Sequence, residues 1–585
     1  DPSDPLSIYV GAPAGGLWKS TDGGDSWTPL TDFFAAIGIS TILIDPMDSD
    51  HIFVGTGDKD AYDTYSIGLI ESFDGGTTWA ASGLSHAVPS YLVCNKALYH
   101  PDDNQEIYIG TSDGLYHSSD AGVNWVQLDN QGMRDLEFHP TQRDTMYATA
   151  GGNFYRSTDG TSFTQITTGL PTSSQANRFE VAVSPDQPDY VYILAGNAIT
   201  QGYLGLYRST DAGLTFTEMS STPNLFGWST DGSGSGGQAW YDMALSVNPN
   251  NADVIHVGGV NVWKSTDGGI NWEIVGHWYG GDDKPYVHAD IHTLEYMPDG
   301  ILYCGNDGGI VRSLDNDTIW QDLTQGLDIT QYYGLGTSAS VPNHLLAGAQ
   351  DNGTNFFDGT DWTEWSGGDG MDTYIDYSND GIRYISGYGG HLARFDWNGT
   401  DYDYAEIRAT SAEEAAWVIP YQLDPTDPNT LYAGYENLWV SHSRGASWSK
   451  LTNGAIGSPI QRTLAVAPSN SDFIYFGTYT SILMTSDGGA TFTNITTGLP
   501  SGNVSDLAVD PSDPMKVVAT ISGYDVGDKV MMSTDGGANW QNISYNLPNL
   551  PANCSAIQQG GDRGVYVGMD AGVYYLHPDS TNWEP

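Results

Sequence analysis

The chain is 585 residues long and has a formal net charge of −52, from 72 Asp and Glu against 20 Lys and Arg. That length is ample for two domains of roughly 250–300 residues, each with its own core. So acidic a surface repels nucleic acid and anionic lipid, which excludes both as main partners, and it suits a saline or calcium-rich exterior that screens the self-repulsion.

No signal peptide or membrane-spanning run is legible, so membrane insertion is not expected and an extracellular or cell-surface location rests on fold and charge. The first residues, Asp1-Pro2-Ser3-Asp4-Pro5, read as the turn after an inner strand. The first repeat unit is therefore expected to lack that strand, with upstream chain, the C-terminus or a neighbouring molecule supplying it. From Ile39 the second unit runs ISTILIDP, HIFVGTG, GLIESFDGG and TTWAASGL, four short runs bounded by Asp, Pro and Gly, as strands between turns should be. The order recurs in MRDLEFHP, TMYATAG, NFYRSTDG, TSFTQITTGL and again in VSDLAVDP, KVVATISG, KVMMSTDGG, ANWQNISYNL. No long stretch has 3.6-residue periodicity, which predicts almost no helix.

Between the third and fourth runs falls S-x-D-x-G-x-x-W, intact or nearly so from Ser20, Ser72, Ser118, Ser209, Ser265 and Ser533. Looser copies end at Phe163, Trp320, Trp448 and Phe492, and eroded ones at Trp362 and Trp583. The Asp can accept turn amides, the Gly supplies a positive φ, and the Trp can fill the space between blades. Successive terminal aromatics lie about 38 to 56 residues apart, the period of one four-stranded propeller blade. Seven units end between Trp27 and Trp320 and six between Trp362 and Trp583. The predicted fold is all-β: two tandem β-propellers, since one ring holds about 4–8 blades. A seven-bladed propeller is expected over residues 1–330, its first blade incomplete, and a six- or seven-bladed one over 331–585. The motif resembles the Asp-box of sialidases, Vps10-type receptors and glycoside hydrolase family 74, a structural turn.

Candidate site residues follow in chain order. Asp58, Asp60 and Asp63, in an insertion between the second and third strands of blade two, suit a hard cation such as calcium, or form an ordered acidic loop. Trp240, Tyr241, Trp278, Tyr279 and Tyr286 lie in long loops beside Asp and Asn, and Trp365 also falls outside the box pattern. Stacking platforms with hydrogen-bonding neighbours are what sugar recognition uses, and packing over the blades is the plainer alternative. His288, Asp290 and His292 share one face if their segment is extended, and could bind a divalent metal, act as acid and base, or line a polar channel. Cys94, Cys304 and Cys554 read as buried strand residues rather than a disulfide framework.

The stretch 326–357, GLDITQYYGLGTSASVPNHLLAGAQDNGTNFF, resembles the start of the second propeller in family 74 glycosidases. That resemblance places Asp351 at a catalytic Asp, with Gln350 in place of the preceding Gly. The partner Asp of the family lies in a first-blade turn whose counterpart here is Ala12-Pro13-Ala14-Gly15-Gly16, so Pro13 stands in the catalytic place. An inverting glycosidase needs two flanking carboxyls. Sialidase chemistry lacks its arginine cluster, and no nucleophile elbow, His-Glu-x-x-His or phosphate loop is present. The whole also resembles large exported Asp-box proteins of Bacteroidetes. Two functions fit. One is a non-catalytic extracellular scaffold or adhesin that binds glycan or copies of itself, which Pro13 favours. The other is a family 74-like glycoside hydrolase acting on a polysaccharide in a cleft between the propellers.

Overall fold

In the computed structural model, residues 1–585 are described except 33, 35–37, 63, 89–91, 282, 298 and 453–459. The chain divides into two compact units, Asp1–Ile329 and Thr330–Pro585. Among the described residues the backbone forms thirteen antiparallel sheets, seven in the first unit and six in the second, and a single 3-10 turn at Tyr388–Gly390. Eleven sheets have four strands in sequence order and two have three. The chain is two tandem β-propellers, with thirteen blades numbered here from the N-terminus.

Burial explains why the second strands of the blades are built around apolar runs. In Met146–Ala150 every side chain is buried, because neighbouring blades cover both faces. Outer strands such as Thr28–Pro29 face solvent and are correspondingly short and polar.

The recurring Ser-x-Asp turn owes its shape to local hydrogen bonds. Ser20 Oγ accepts the Gly24 amide at 2.9 Å and donates to Asp22 Oδ1 at 2.7 Å. Asp22 Oδ1 accepts the Ser26 amide at 2.9 Å. The same three bonds recur at Ser72, Ser118 and Ser533. The Ser26 hydroxyl and then Ser20 hold the Asp22 carboxyl down at about 2. The closing Trp commonly reaches back one blade: Trp320 Nε1 donates to Val275 O at 2.9 Å, Trp540 Nε1 to Ile495 O at 2.8 Å, and Trp583 Nε1 to Ile543 O at 2.8 Å.

The same reach closes the first ring. Trp27 Nε1 of blade 1 donates to Leu323 O beyond the last strand of blade 7 at 2.8 Å. Trp18 packs there with Ile310, Leu323 and Leu327 in one apolar cluster. Blade 1 has three strands among the described residues, Ile8–Ala12, Gly16–Ser20 and Thr28–Pro29. The last sheet, from Ala552 to Leu576, also has three.

All three cysteines are free. Cys94 and Cys304 are buried, whereas Cys554 is exposed although it lies in a strand, because the last sheet leaves that face open. No helix among the described residues is long and apolar enough to cross a membrane.

Candidate functional site

Antiparallel order places the turns between second and third strands, and the connections from one blade to the next, at the end of the blade opposite the Ser-x-Asp turns. In the first propeller that end collects the turn at Ala12–Gly16, the loop 57–67, the connections 221–243 and 277–290, and the turn at Asp307.

The loop of blade 2 carries Asp60 to side chains of three other blades. The Asp60 carboxylate meets the guanidinium of Arg134 and that of Arg178 at 3.4 Å, and His292 Nδ1 at 3.0 Å. Arg178 also pairs with Glu180 at 2.8 Å. Burial alone would raise the Asp60 pKa, yet Arg134 and then His292 hold it far below the usual carboxylate range. Beside this group a cavity of about 240 Å³ is lined by Lys96, Asp135, Glu137, Glu180, His292 and Glu295, mostly from inner strands. Burial and then Glu180 push Asp135 up to about 8, and burial pushes Glu137 up to about 7.

His292 passes the network to a second carboxylate. Its Nε2 bonds Asp307 Oδ1 at 2.9 Å, and the Tyr241 hydroxyl donates to Asp307 Oδ2 at 2.7 Å while its ring lies edge-on to the imidazole. Burial opposes charge on His292, but Asp60 and the bond to Asp307 raise its pKa well above the ordinary value. Asp290 and Asp307 oxygens lie within 4.8 Å of each other. Gln238 Nε2 bridges Asp290 at 2.5 Å and Asp242 at 3.2 Å. Asp242 is fully buried with Oδ1 unpaired, and burial followed by the Asp290 charge pushes its carboxyl well up.

Several expectations need correction. Asp290 has φ 61°, which breaks the extended run, so His288, Asp290 and His292 do not form one chelating face. His288 stacks over Gly308 instead, where an added Cβ would lie 2.4 Å from its ring, and both nitrogens of His292 are engaged by carboxylates. Asp58 turns inward to accept the amides of Asp60 and Ala61 at 2.7 and 3.0 Å, and guanidinium groups take the place expected of calcium at Asp60. Asp63 lies outside the described residues. Trp365 is a packing residue: it meets Phe356, Phe395 and Tyr402, with the Arg383 guanidinium 4.6 Å from its ring centre.

The loop aromatics of the first propeller are where a glycan could use them. Trp240, Tyr279 and Tyr286 are 54%, 58% and 59% exposed. Trp278 is edge-on to Tyr279 at 4.8 Å and its Nε1 donates to Trp228 O at 3.3 Å. Asp351 occupies the second-to-third-strand turn of the first blade in its propeller, with φ 54° and its amide bonded to Asp369 Oδ1 at 3.1 Å. Asp307, Asp242, Arg134 and Arg178 were not singled out from sequence. Asp307 had a usable signal: Gly308-Gly309-Ile310-Val311-Arg312-Ser313 repeats Gly15-Gly16-Leu17-Trp18-Lys19-Ser20, marking the equivalent turn of the adjoining blade.

The Sortilin-Vps10 family model (sortilin, neurotensin receptor 3) matches residues 113–251 and 436–560. A xyloglucanase of a Paenibacillus species is 22% identical over 581 residues, covering 84% of this chain and 52% of that protein. This chain thus spans about half the length of that relative. A xyloglucanase of Hypocrea jecorina (strain QM6a) is 22% identical over 622 residues, covering 86% of this chain and 70% of the relative. Among solved structures, an ancestral glycoside hydrolase family 74 enzyme superposes with a TM-score of 0.70 at 16% identity, covering 100% of this chain and 91% of its own. The family 74 xyloglucanase of Xanthomonas campestris gives 0.52 at 15% identity, covering 100% and 97%. These likenesses bear out the double-propeller fold.

Proposed function

We propose that this chain is an extracellular glycoside hydrolase of the family 74 kind, acting on a neutral β-linked polysaccharide of the xyloglucan type. One observation carries the reading. Asp307 is oriented by His292 and Tyr241 beside Asp290, on the end of the first propeller that carries exposed Trp240, Tyr279 and Tyr286. The two xyloglucanases at 22% identity support the substrate class. The acidic surface supports a neutral polymer, because a uronic-acid chain would be repelled.

Glycoside hydrolysis divides its work between two carboxyls. Asp307, both of whose oxygens already accept hydrogen bonds, is the acceptor that meets the sugar carbon. Asp290, in its protonated form, is the donor to the departing oxygen. Their nearest oxygens lie within 4.8 Å of each other, close enough to act on one glycosidic bond.

Reducing-end release from xyloglucan tests this. Asp307→Asn and Asp290→Asn are each expected to lower kcat by roughly 10²–10⁴. Unchanged turnover in both, with loss in Asp351→Asn, would move the chemistry to the residue that the family 74 resemblance selects. A second function, the non-catalytic glycan-binding scaffold, is favoured by Pro13 standing where that resemblance calls for a carboxyl. Binding of neutral glucans without any reducing-end release would select it.

A further inference from the structure

We propose that Asp60 is a remote positioning residue of the hydrolytic centre: it keeps His292 a doubly protonated imidazolium, and that charge leaves Asp307 as the carboxylate and Asp290 as the acid. The role rests on the hydrolase reading above, whereas the charge on His292 stands on its own geometry.

The charge follows from counting protons. His292 Nδ1 lies 3.0 Å from Asp60 Oδ2, and Nε2 lies 2.9 Å from Asp307 Oδ1. A neutral imidazole carries one N–H, so one of the two contacts would set a ring lone pair against a carboxylate oxygen. The doubly protonated ring donates at both ends and satisfies both. Asp60 is in no position to supply a proton itself, because its Oδ1 faces the guanidiniums of Arg134 and of Arg178, the latter at 3.4 Å. Asp307 already accepts the Tyr241 hydroxyl on Oδ2 at 2.7 Å, which leaves Oδ1 for the ring.

The charges around the ring are consistent with a cation there. Arg134 and Arg178 oppose it, but both are matched by Asp60 and Glu180. Lys59 lines the same cavity, and burial lowers its pKa, so it adds little opposing charge. Deeper in that cavity Lys96 is paired with Asp135 and Glu137. Asp242 and Asp290 are bridged by Gln238, and an ionised carboxylate in that pair favours the cation. Against the cost of burial, Asp60 and then the bond to Asp307 hold the proton on the ring.

Two carboxyls this close do different work only if their surroundings differ. The positive ring bonds Asp307, so the proton that acid work requires is left to Asp290. Asp60, buried in the loop of blade 2, reaches the reaction through the imidazole. Asp60→Asn can satisfy the same contacts with its amide, oxygen toward the guanidiniums and nitrogen toward Nδ1, but only around a neutral ring. The variant therefore separates charge from shape.

NMR of the ring nitrogens in the full chain with isotope-labelled histidine reads the charge without substrate, the signal being assigned by its loss in His292→Gln. Wild type is expected to show the doubly protonated pattern from about pH 6 to pH 8, and Asp60→Asn a neutral ring over the upper part of that range. The pH profile of kcat/KM on xyloglucan reads the role. Its acid limb should move up by about 1–3 pH units in Asp60→Asn and return in Asp60→Glu. KM should stay within about twofold, since the buried Asp60 acts on the reacting groups rather than on binding. A profile that is lowered without its limb moving would mean a merely structural Asp60 and overturn the role. A neutral His292 in wild type at neutral pH, as a proton on Asp307 Oδ1 facing a bare Nε2 would give, overturns the charge, and that spectrum decides even where Asp60→Asn fails to fold. A charged ring with no release of reducing ends removes the hydrolase reading; hydrolysis with an unmoved limb keeps that reading and removes the role of Asp60.

Discussion

Replacing Asp60 by Asn keeps the shape of the side chain and removes its charge. In the native fold that charge faces Arg134, Arg178 at 3.4 Å and His292 at 3.0 Å, with the carboxylate almost wholly buried. The variant leaves two guanidiniums and an imidazole clustered in the interior, with Glu180 beside the arginines and Asp307 beside His292 as the remaining counter-charges. Removing one partner of a buried ionic group typically costs about 3–5 kcal/mol, because the orphaned charges stay desolvated. For a unit of this size that corresponds to a fall of roughly 6–10 °C in Tm, at about 2 °C per kcal/mol. Calorimetry gives the shift, and hydrogen exchange in Ala176–Val183 and Ile291–Tyr296 localises it. The pH dependence carries a sign. The folded-state pKa of Asp60 is depressed, so its stabilisation is present above the unfolded carboxylate pKa and disappears as pH falls through the folded value. Wild type and variant should therefore converge on acidification. A Tm within 2 °C of wild type at neutral pH, about 1 kcal/mol at most, would refute the claim that this carboxylate holds the network together.

Further tests address other parts of the fold. Asp135 and Glu137 have folded pKa values raised to about 8 and about 7, so their contribution is complete below the unfolded carboxylate range and declines as pH rises through those values. Asp135→Asn should flatten the fall in Tm between about pH 5 and pH 8, and an unchanged slope would count against it. Trp27→Ala removes both packing and the bond to Leu323 at the ring closure, and should cost about 3–5 kcal/mol in urea unfolding; a cost below about 1 kcal/mol would mean the ring closes elsewhere. One thiol, Cys554, should react with a maleimide in the native state while Cys94 and Cys304 react only after unfolding, with peptide mapping as the readout.

The repeat architecture was legible because everything that makes it is local. Ser, Asp, Gly and Trp within eight positions fix each turn, and copying that turn fixes the blade. What failed was alternation through a residue with positive φ, at Asp290, and the reading of Trp365 as a platform when Phe356, Phe395 and Arg383 surround it. The Asp60 group was invisible because its partners lie 74 positions away at Arg134 and 232 away at His292. No local pattern announces such contacts. Asp307 was readable in principle, from the repeated Gly-Gly turn of the blade next to Pro13.

A propeller is ordinarily a ring of neighbours, each blade holding only the two beside it, and such arrays can lose one member at a time. The acid delivered by the blade 2 loop changes that arithmetic. It joins blades 2, 4, 5 and 7, which are not all adjacent, so opening one sector disturbs charges belonging to three others. Cooperativity that would fade around the circumference is restored across its middle. The cost is kinetic: the contact closes long loops and can form only when most of the ring is in place, which makes it a late event in folding and an early one to be felt in unfolding.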